Sequence, residues 1–329
     1  MTRAVPLRSP ARRPLRALLA FLVRRPVRHD VTYERVLGSA LHLRVDADDE
    51  DAARSAEAAL LAEIDRLEAV FSRVNPDSEL NRWQARPGED VPVSAELHDL
   101  LRDALDWQRR TKGAFNPSAD AFVSAWRHAE GTGRPPLDEA LDAAARAAGE
   151  PAFVLGAGTA RVTRPGGLTL NAVAKGAIAD AAALAAFRVP GVRGVLVNLG
   201  GDLRHVGEGE VRVAVSTSGV ENHAEDVVTL RGGALATSGG AHRGFLVGGT
   251  WYPHTLDPRT GRPATEVRGA SVLAPDARTA DVLATALSVL PVTEGLDLVR
   301  NLPNVGCLVV TADGARHTDP VWCAHSRPS

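Results

Sequence analysis

An α+β fold with mixed sheets and packed helices is predicted from three observations. Helical and strand patterns are partly segregated along the chain and do not alternate strictly. A strand-dense zone runs from Gly194 to Trp251. Long amphipathic stretches precede it, each bounded by residues that start or stop helices.

The elements follow in order. Val31 to Ala47 reads as one or two strands, with apolar alternation at Leu41, Leu43 and Val45. Asp48 to Arg73 reads as a long helix whose inner side carries Ala59, Leu60, Ile64, Leu67, Val70 and Phe71. Asn75-Pro76-Asp77-Ser78 breaks it, and Ser78 can cap a short helix. Ser94 to Thr111 is a second long helix, stopped at Gly113. Pro117 to His128 and Leu137 to Ala148 also read as helices. Strand signals follow at Phe153-Val154, Arg161-Val162 and Leu168-Leu170, then an alanine-rich helix from Val173 to Phe187. Further strands are expected over Gly194–Asn198, Leu203–Val206, Val211–Val215, Val227–Leu230, Ala234–Thr237 and Phe245–Trp251. Asp276 caps a helix reaching Leu290, Thr293 to Asn301 forms another, and Gly306–Thr311 and Ala315–Thr318 close the fold as strands.

Composition narrows the function. The chain has 329 residues, 38 Lys plus Arg against 40 Asp plus Glu, and a net charge of −2. This near balance argues against a generic nucleic-acid binder, which needs dense positive charge to displace counterions. Lys112 and Lys175 are the two lysines; every other cation is arginine. Cys307 and Cys323 are too few for a disulfide framework, and Cys307 sits in an apolar run as a small hydrophobe. Residues 1–30 form a basic segment, read as a disordered tail or a misassigned start ahead of a degenerate export signal or surface anchor. Residues 31–329 read as one domain. No segment approaches the roughly 20 apolar residues of a spanning helix.

Four polar clusters carry candidate chemistry. Leu168 to Gly176 reads as a strand entering a helix N-terminus, where free N–H groups and Lys175 favour an anion. In a chain that otherwise uses arginine, this lysine points to a compact ammonium and a phosphate role. Asn198-Leu199-Gly200-Gly201-Asp202 reads as a β-turn, not as a dinucleotide fingerprint. In Trp251 to Gly261, His254 has Asp257 three residues on, which could orient the imidazole or share a metal's shell. Asp281, Thr285 and Ser288 share one helix face, and a carboxylate with a hydroxyl one turn on suits a hard cation such as Mg²⁺.

In order along the chain, these segments resemble the ApbE family, the FAD:protein FMN transferases. The resemblance runs through Leu37-Gly38-Ser39, Phe71-Ser72-Arg73, Pro76 to Leu80 and Gly113-Ala114-Phe115-Asn116-Pro117. It continues through Ala174-Lys175-Gly176, Val197 to Asp202, Ala236 to Gly239, His254 to Gly261 and Ala280 to Ala286. It implies an ApbE-like, T-fold-related architecture. It also implies Mg²⁺-dependent transfer of FMN from FAD, the substrate, to a threonine or serine hydroxyl of an acceptor flavoprotein, with AMP released.

On this sequence the resemblance makes Asp281 and Thr285 metal ligands, with the Ala172 carbonyl as a third. Ala114, Phe115, Asn116, Thr169, Lys175 and Leu256 match FAD-contacting positions. His254 and Lys175 take the catalytic roles. Four segments depart from the family pattern: Val74 replaces a tyrosine, Asn116 and Thr169 replace acids, and Leu37-Gly38-Ser39 stands where the family has Met-Gly-Thr. FAD pyrophosphatase activity and non-catalytic FAD binding are the alternatives. The expected partners are FAD and the acceptor, with no nucleic acid, and membrane association only through the basic N-terminus or the acceptor. The chain as written is expected in the cytoplasm, with an extracytoplasmic or membrane-associated location, usual in the family, as the alternative.

Overall fold

The computed structural model describes residues 26–164, 166, 168–216, 224, 226–239 and 244–328. The basic stretch therefore lies, up to residue 25, outside the described residues. The framework is an eight-stranded sheet. Its strands, numbered along the chain, are β1 (Val27–Val36), β2 (Ser39–Ala47), β3 (Val192–Leu199), β4 (Asp202–Gly207), β5 (Gly233–Gly239), β6 (Val267–Ala274), β7 (Gly306–Thr311) and β8 (Arg316–Thr318). Spatial order equals chain order, and every neighbouring pair is antiparallel. The α+β class expected from the sequence is therefore the class observed.

The helices are α1 (Glu50–Phe71), α2 (Glu79–Gln84), α3 (Ala95–Arg110), α4 (Asp120–Thr132), α5 (Asp138–Gly149), α6 (Asn171–Phe187), α7 (Ala277–Leu287), α8 (Val292–Arg300) and α9 (Pro320–His325). Local chemistry sets their starts. Asp49, Ser78, Ser94 and Asp276 each accept a backbone N–H in the first turn of the helix they precede. In α1 the buried residues Ala53, Ala56, Leu60, Ile64, Leu67 and Phe71 form one stripe at helical spacing.

The sheet has two buried faces. On one, Leu41, Leu43, Val195, Val197, Ala270 and Val272 meet residues of α1, α6 and α7 in the main core. α6 is enclosed by these neighbours, so Val173, Ala177, Ile178, Ala179, Ala182 and Ala183 are all buried. Its small side chains allow that close enclosure. On the other face, Leu203, Leu235, Leu273, Leu308 and Val310 pack with Trp322 of α9. A three-stranded sheet of Val211–Val215, Asp226–Leu230 and Ser326–Pro328 completes that layer. Trp322 Nε1 donates to Asp226 Oδ2 at 2.7 Å, anchoring the indole. A third cluster joins Phe122 and Trp126 of α4, Leu141 of α5, Phe245, Val247 and Leu256.

Several elements differ from the sequence expectation. β1 begins at Val27 rather than near Val31, because Arg28 and Asp30 face Asp46 and Arg44 across the β1–β2 pair. Leu168–Leu170 is not a strand; Thr169 N donates to the Pro117 carbonyl at 2.6 Å instead of joining a sheet. Phe245–Trp251 is a hairpin, Gly244–Val247 paired with Thr250–Pro253, because Gly248-Gly249 turns the chain. β6 and α9 lie outside the elements that the sequence predicts.

Candidate active site

The β3–β4 hairpin turns through Gly200 and Gly201, with φ of 60° and 102°. Positive φ at both central residues is the conformation that matches the strand twist. A side chain at Gly200 would also sit 2.7 Å from the Ser39 side chain, at the end of the β1–β2 turn. The turn fixes register: Leu199 pairs with Asp202. Leu199 belongs to the helix-side core, so Asp202 carries its carboxylate into the same face. There it is buried, 2% exposed, with Oδ2 2.8 Å from Lys175 Nζ on α6.

α7 brings a second carboxylate to this place. Asp281 is 7% exposed, and its buried Oδ2 has no hydrogen-bond partner among the described residues. The two carboxyl groups are near enough for the charge of one to act on the other. Burial, then the charge of Asp202, pushes the Asp281 carboxyl well above the usual carboxylate range, while Lys175 and the Gly176 N–H pull it down. Burial also raises Asp202 against the pull of Lys175. Among the described residues, two acids here face one ammonium.

Close helix packing makes this meeting possible. A Cβ at Gly176 would collide with the Ala277 carbonyl oxygen and lie 2.7 Å from Arg278 Cα. Only glycine lets the start of α7 rest on α6 here. Thr285 follows Asp281 by one turn and is half-buried, and Ala172 is the second residue of α6. Ser288 shares their face, but its hydroxyl is committed to the Ala284 carbonyl at 2.9 Å and the Ser238 carbonyl at 3.2 Å.

A hard cation fits this donor set. The unpartnered Asp281 Oδ2, the Thr285 hydroxyl and the Ala172 carbonyl are all oxygen donors. Among the described residues, no group of three or more His, Cys, Asp or Glu side chains could hold a metal ion. A metal here therefore depends on hydroxyl, carbonyl, water or substrate oxygens for the rest of its shell.

The ApbE family profile matches residues 37–309, which include every group described above. The chain belongs to the ApbE family. It is 32% identical to the FAD:protein FMN transferase of Treponema pallidum over 273 residues, 76% of this chain and 75% of that protein. Identity to the FAD:protein FMN transferase of Vibrio cholerae is 30% over 271 residues, 78% of this chain and 80% of that protein. The crystal structure of the ApbE protein of Thermotoga maritima superposes with a TM-score of 0.81 at 27% identity, covering 92% of this chain and 100% of that one.

Three other ApbE motif segments, at Gly113–Pro117, Thr169 and His254–Gly261, approach one another. Thr169 is tied to Pro117, beside Ala114-Phe115-Asn116, and Arg259 Cγ lies 3.5 Å from where a Cβ on Gly113 would be. A cavity of about 710 Å³ opens beside Lys112, Gly113, Asn116, Pro258 and Arg259. Ala114 and Phe115 are buried in the main core, and the Leu256 side chain is buried against α4 and α5. Asn116 is occupied at both ends: Nδ2 donates to Ala148 O at 2.9 Å, and Oδ1 accepts from Ser118 N at 2.8 Å. Val74 is 81% exposed.

His254 follows the hairpin strand Thr250–Pro253 and precedes the short strand Leu256–Asp257. Asp257, three residues on, pairs with Arg259. Its carboxylate takes Arg259 in a two-point pair, at 2.9 and 2.8 Å, and also accepts Arg259 N at 2.9 Å. This folds the Asp-Pro-Arg-Thr-Gly loop into a rigid turn. The sequence reading gives Asp202 no role of its own. Its signal was an acid at a strand position in register with a buried leucine.

Proposed function

We propose that this protein is an FAD:protein FMN transferase, moving FMN from FAD to a threonine or serine hydroxyl of an acceptor flavoprotein and releasing AMP, with Mg²⁺ required. The observation that carries this reading is the buried Asp281–Asp202 pair beside Lys175 at the start of α6. Buried carboxylates that lack compensating charge suit a substrate–cation complex better than a structural core.

In this reading Asp281, Thr285 and the Ala172 carbonyl hold Mg²⁺. When bound, the ion neutralises the pyrophosphate charge that builds up on the AMP side. Lys175 adds a fixed ammonium next to the α6 N-terminus, which stabilises phosphate oxygens electrostatically. Asp202 orients that ammonium through its 2.8 Å contact. The acceptor hydroxyl is a weak nucleophile, and His254 takes its proton as the oxygen attacks the FMN phosphorus. The bond from that phosphorus to the AMP-side bridging oxygen breaks, and AMP leaves with the electron pair. The buried Ala114–Asn116 loop and the Leu256–Gly261 turn give the substrate rigid walls.

The test incubates the protein with FAD, Mg²⁺ and an acceptor carrying a flavinylation sequence, followed by intact mass and AMP release. The expected result is an FMN-sized adduct with stoichiometric AMP. Free FMN with no adduct selects the pyrophosphatase reading. Tight FAD binding with no AMP over hours selects the non-catalytic one.

A further inference from the structure

α7 carries Asp281 and Thr285, but its sequence alone does not fix where it stands against α6 and β4. Its first turn does. Ala277 N donates to Asp180 Oδ1 at 2.8 Å, and Arg278 N donates to Asp180 Oδ2 at 3.0 Å. The helix's own cap, Asp276, accepts Thr279 N at 2.8 Å. The start of α7 is thus capped twice, once from within and once from α6. A local cap alone would satisfy the usual preference at this position.

Asp180 also reaches β4. Its Oδ1 lies 2.9 Å from Arg204 Nε, and the two side chains are 15% and 14% exposed. Arg204 stands two residues after Asp202, on the same side of the strand. One carboxylate therefore joins α6, which carries Lys175 and Ala172, to α7, which carries Asp281 and Thr285, and to β4, which carries Asp202. Gly176, one turn before Asp180, supplies the second contact of this joint. Burial raises the Asp180 carboxyl against the pull of two backbone N–H groups and Arg204. The fold retains a costly buried acid where three site-bearing elements meet.

We propose that Asp180 is a positioning residue: it holds the Asp281–Thr285 turn of α7 at the spacing from α6 and β4 at which a divalent cation is bound. The inference rests on the reading of Asp281 and Thr285 as metal ligands. Outer partners that fix ligand position typically change metal affinity by about 10–100-fold when lost.

The experiment uses Asp180→Asn in the full chain, with Mn²⁺ as the probe. The amide keeps the size of the carboxylate but offers one acceptor, so it loses one α7 N–H bond and the pair with Arg204. Mn²⁺ binding is read from the free-ion EPR signal, with and without FAD. The expected result is a roughly tenfold rise in the Mn²⁺ Kd, at the lower end of that range. The Mg²⁺ concentration for half-maximal transfer rises in parallel, while KM for FAD at saturating metal changes little. Wild-type Mn²⁺ affinity in a folded variant overturns the inference, as do equal losses in Mn²⁺ and FAD affinity, which mark general loosening. If Asp180→Asn does not fold, Arg204→Gln keeps both amide bonds and frees Asp180 from β4. A smaller rise in Mn²⁺ Kd is then expected, and no rise overturns the inference. Wild-type protein that binds no Mn²⁺ overturns the metal reading and this inference together.

Discussion

At the residue scale, Asp281 is the most exposed to test through its protonation. Its carboxyl holds a proton in the folded chain at pH values where the unfolded chain has released it. The folded state then binds more protons, so this group makes stability fall as pH rises above the ordinary carboxylate range, about 4. Removing the charge removes that penalty. In EDTA, Asp281→Asn is expected to melt higher than wild type at pH 8, with a smaller difference at pH 5. Thermal melts at the two pH values check this, and a pH-independent difference contradicts it. Mg²⁺ should narrow the gap at pH 8 by stabilising wild type alone. His254→Ala is expected to slow transfer by about 10²–10⁴-fold, the usual size of a lost acid–base group. FAD affinity should change far less; matching losses would make His254 a binding residue. Cys307 is buried, and its thiol is pushed up to about 12, chiefly by burial. Native protein should therefore take one iodoacetamide label, at exposed Cys323, by peptide mass.

At the element scale, the α6–α7 crossing decides whether the site exists. Gly176→Ala forces a methyl against the Ala277 carbonyl. Overpacking of this kind costs about 1–3 kcal/mol, which urea unfolding should show as a lower midpoint with an unchanged slope. Helices such as α1, α3 and α7 were legible in the sequence because caps and apolar stripes are local signals. β6 was not. Its Val-Arg-Gly-Ala-Ser-Val-Leu-Ala run is rich in small residues and buried on both faces, so the alternation that marks a strand disappears. The site divides in the same way. Lys175 and Asp281 stand out as polar residues with unusual neighbours, and the fold brings them to one place. Asp202 and Asp180 act through strand register and helix crossing, which no window of sequence contains.

At the scale of the whole molecule, the sheet is covered on both faces, and the second cover is thin. It depends on Trp322, which is 0% exposed, and on Asp226, which receives both Trp322 Nε1 and the Arg316 guanidinium at 2.5 Å. Trp322→Ala is expected to cost about 3–5 kcal/mol, measured by denaturant unfolding. It leaves Asp226 short of one donor and opens the layer over Leu308 and Val310. A loss under 1 kcal/mol would show that this layer is not a cooperative part of the fold.

The neighbour-to-neighbour order of the sheet also has a consequence in time. Six of its eight strands have been synthesised by Ala274, and with them Lys175 and Asp202, a neutral pair. Asp281 comes next along the chain. The excess negative charge of the site therefore arrives with one helix, late in synthesis, after most of its surroundings have been made. Docking of that helix brings its carboxylate against Asp202, and capture of a cation offsets that repulsion, so each should make the other easier. A nascent chain that meets its cation at this stage docks that helix and forms its site in one event, before the last two strands of the sheet are added.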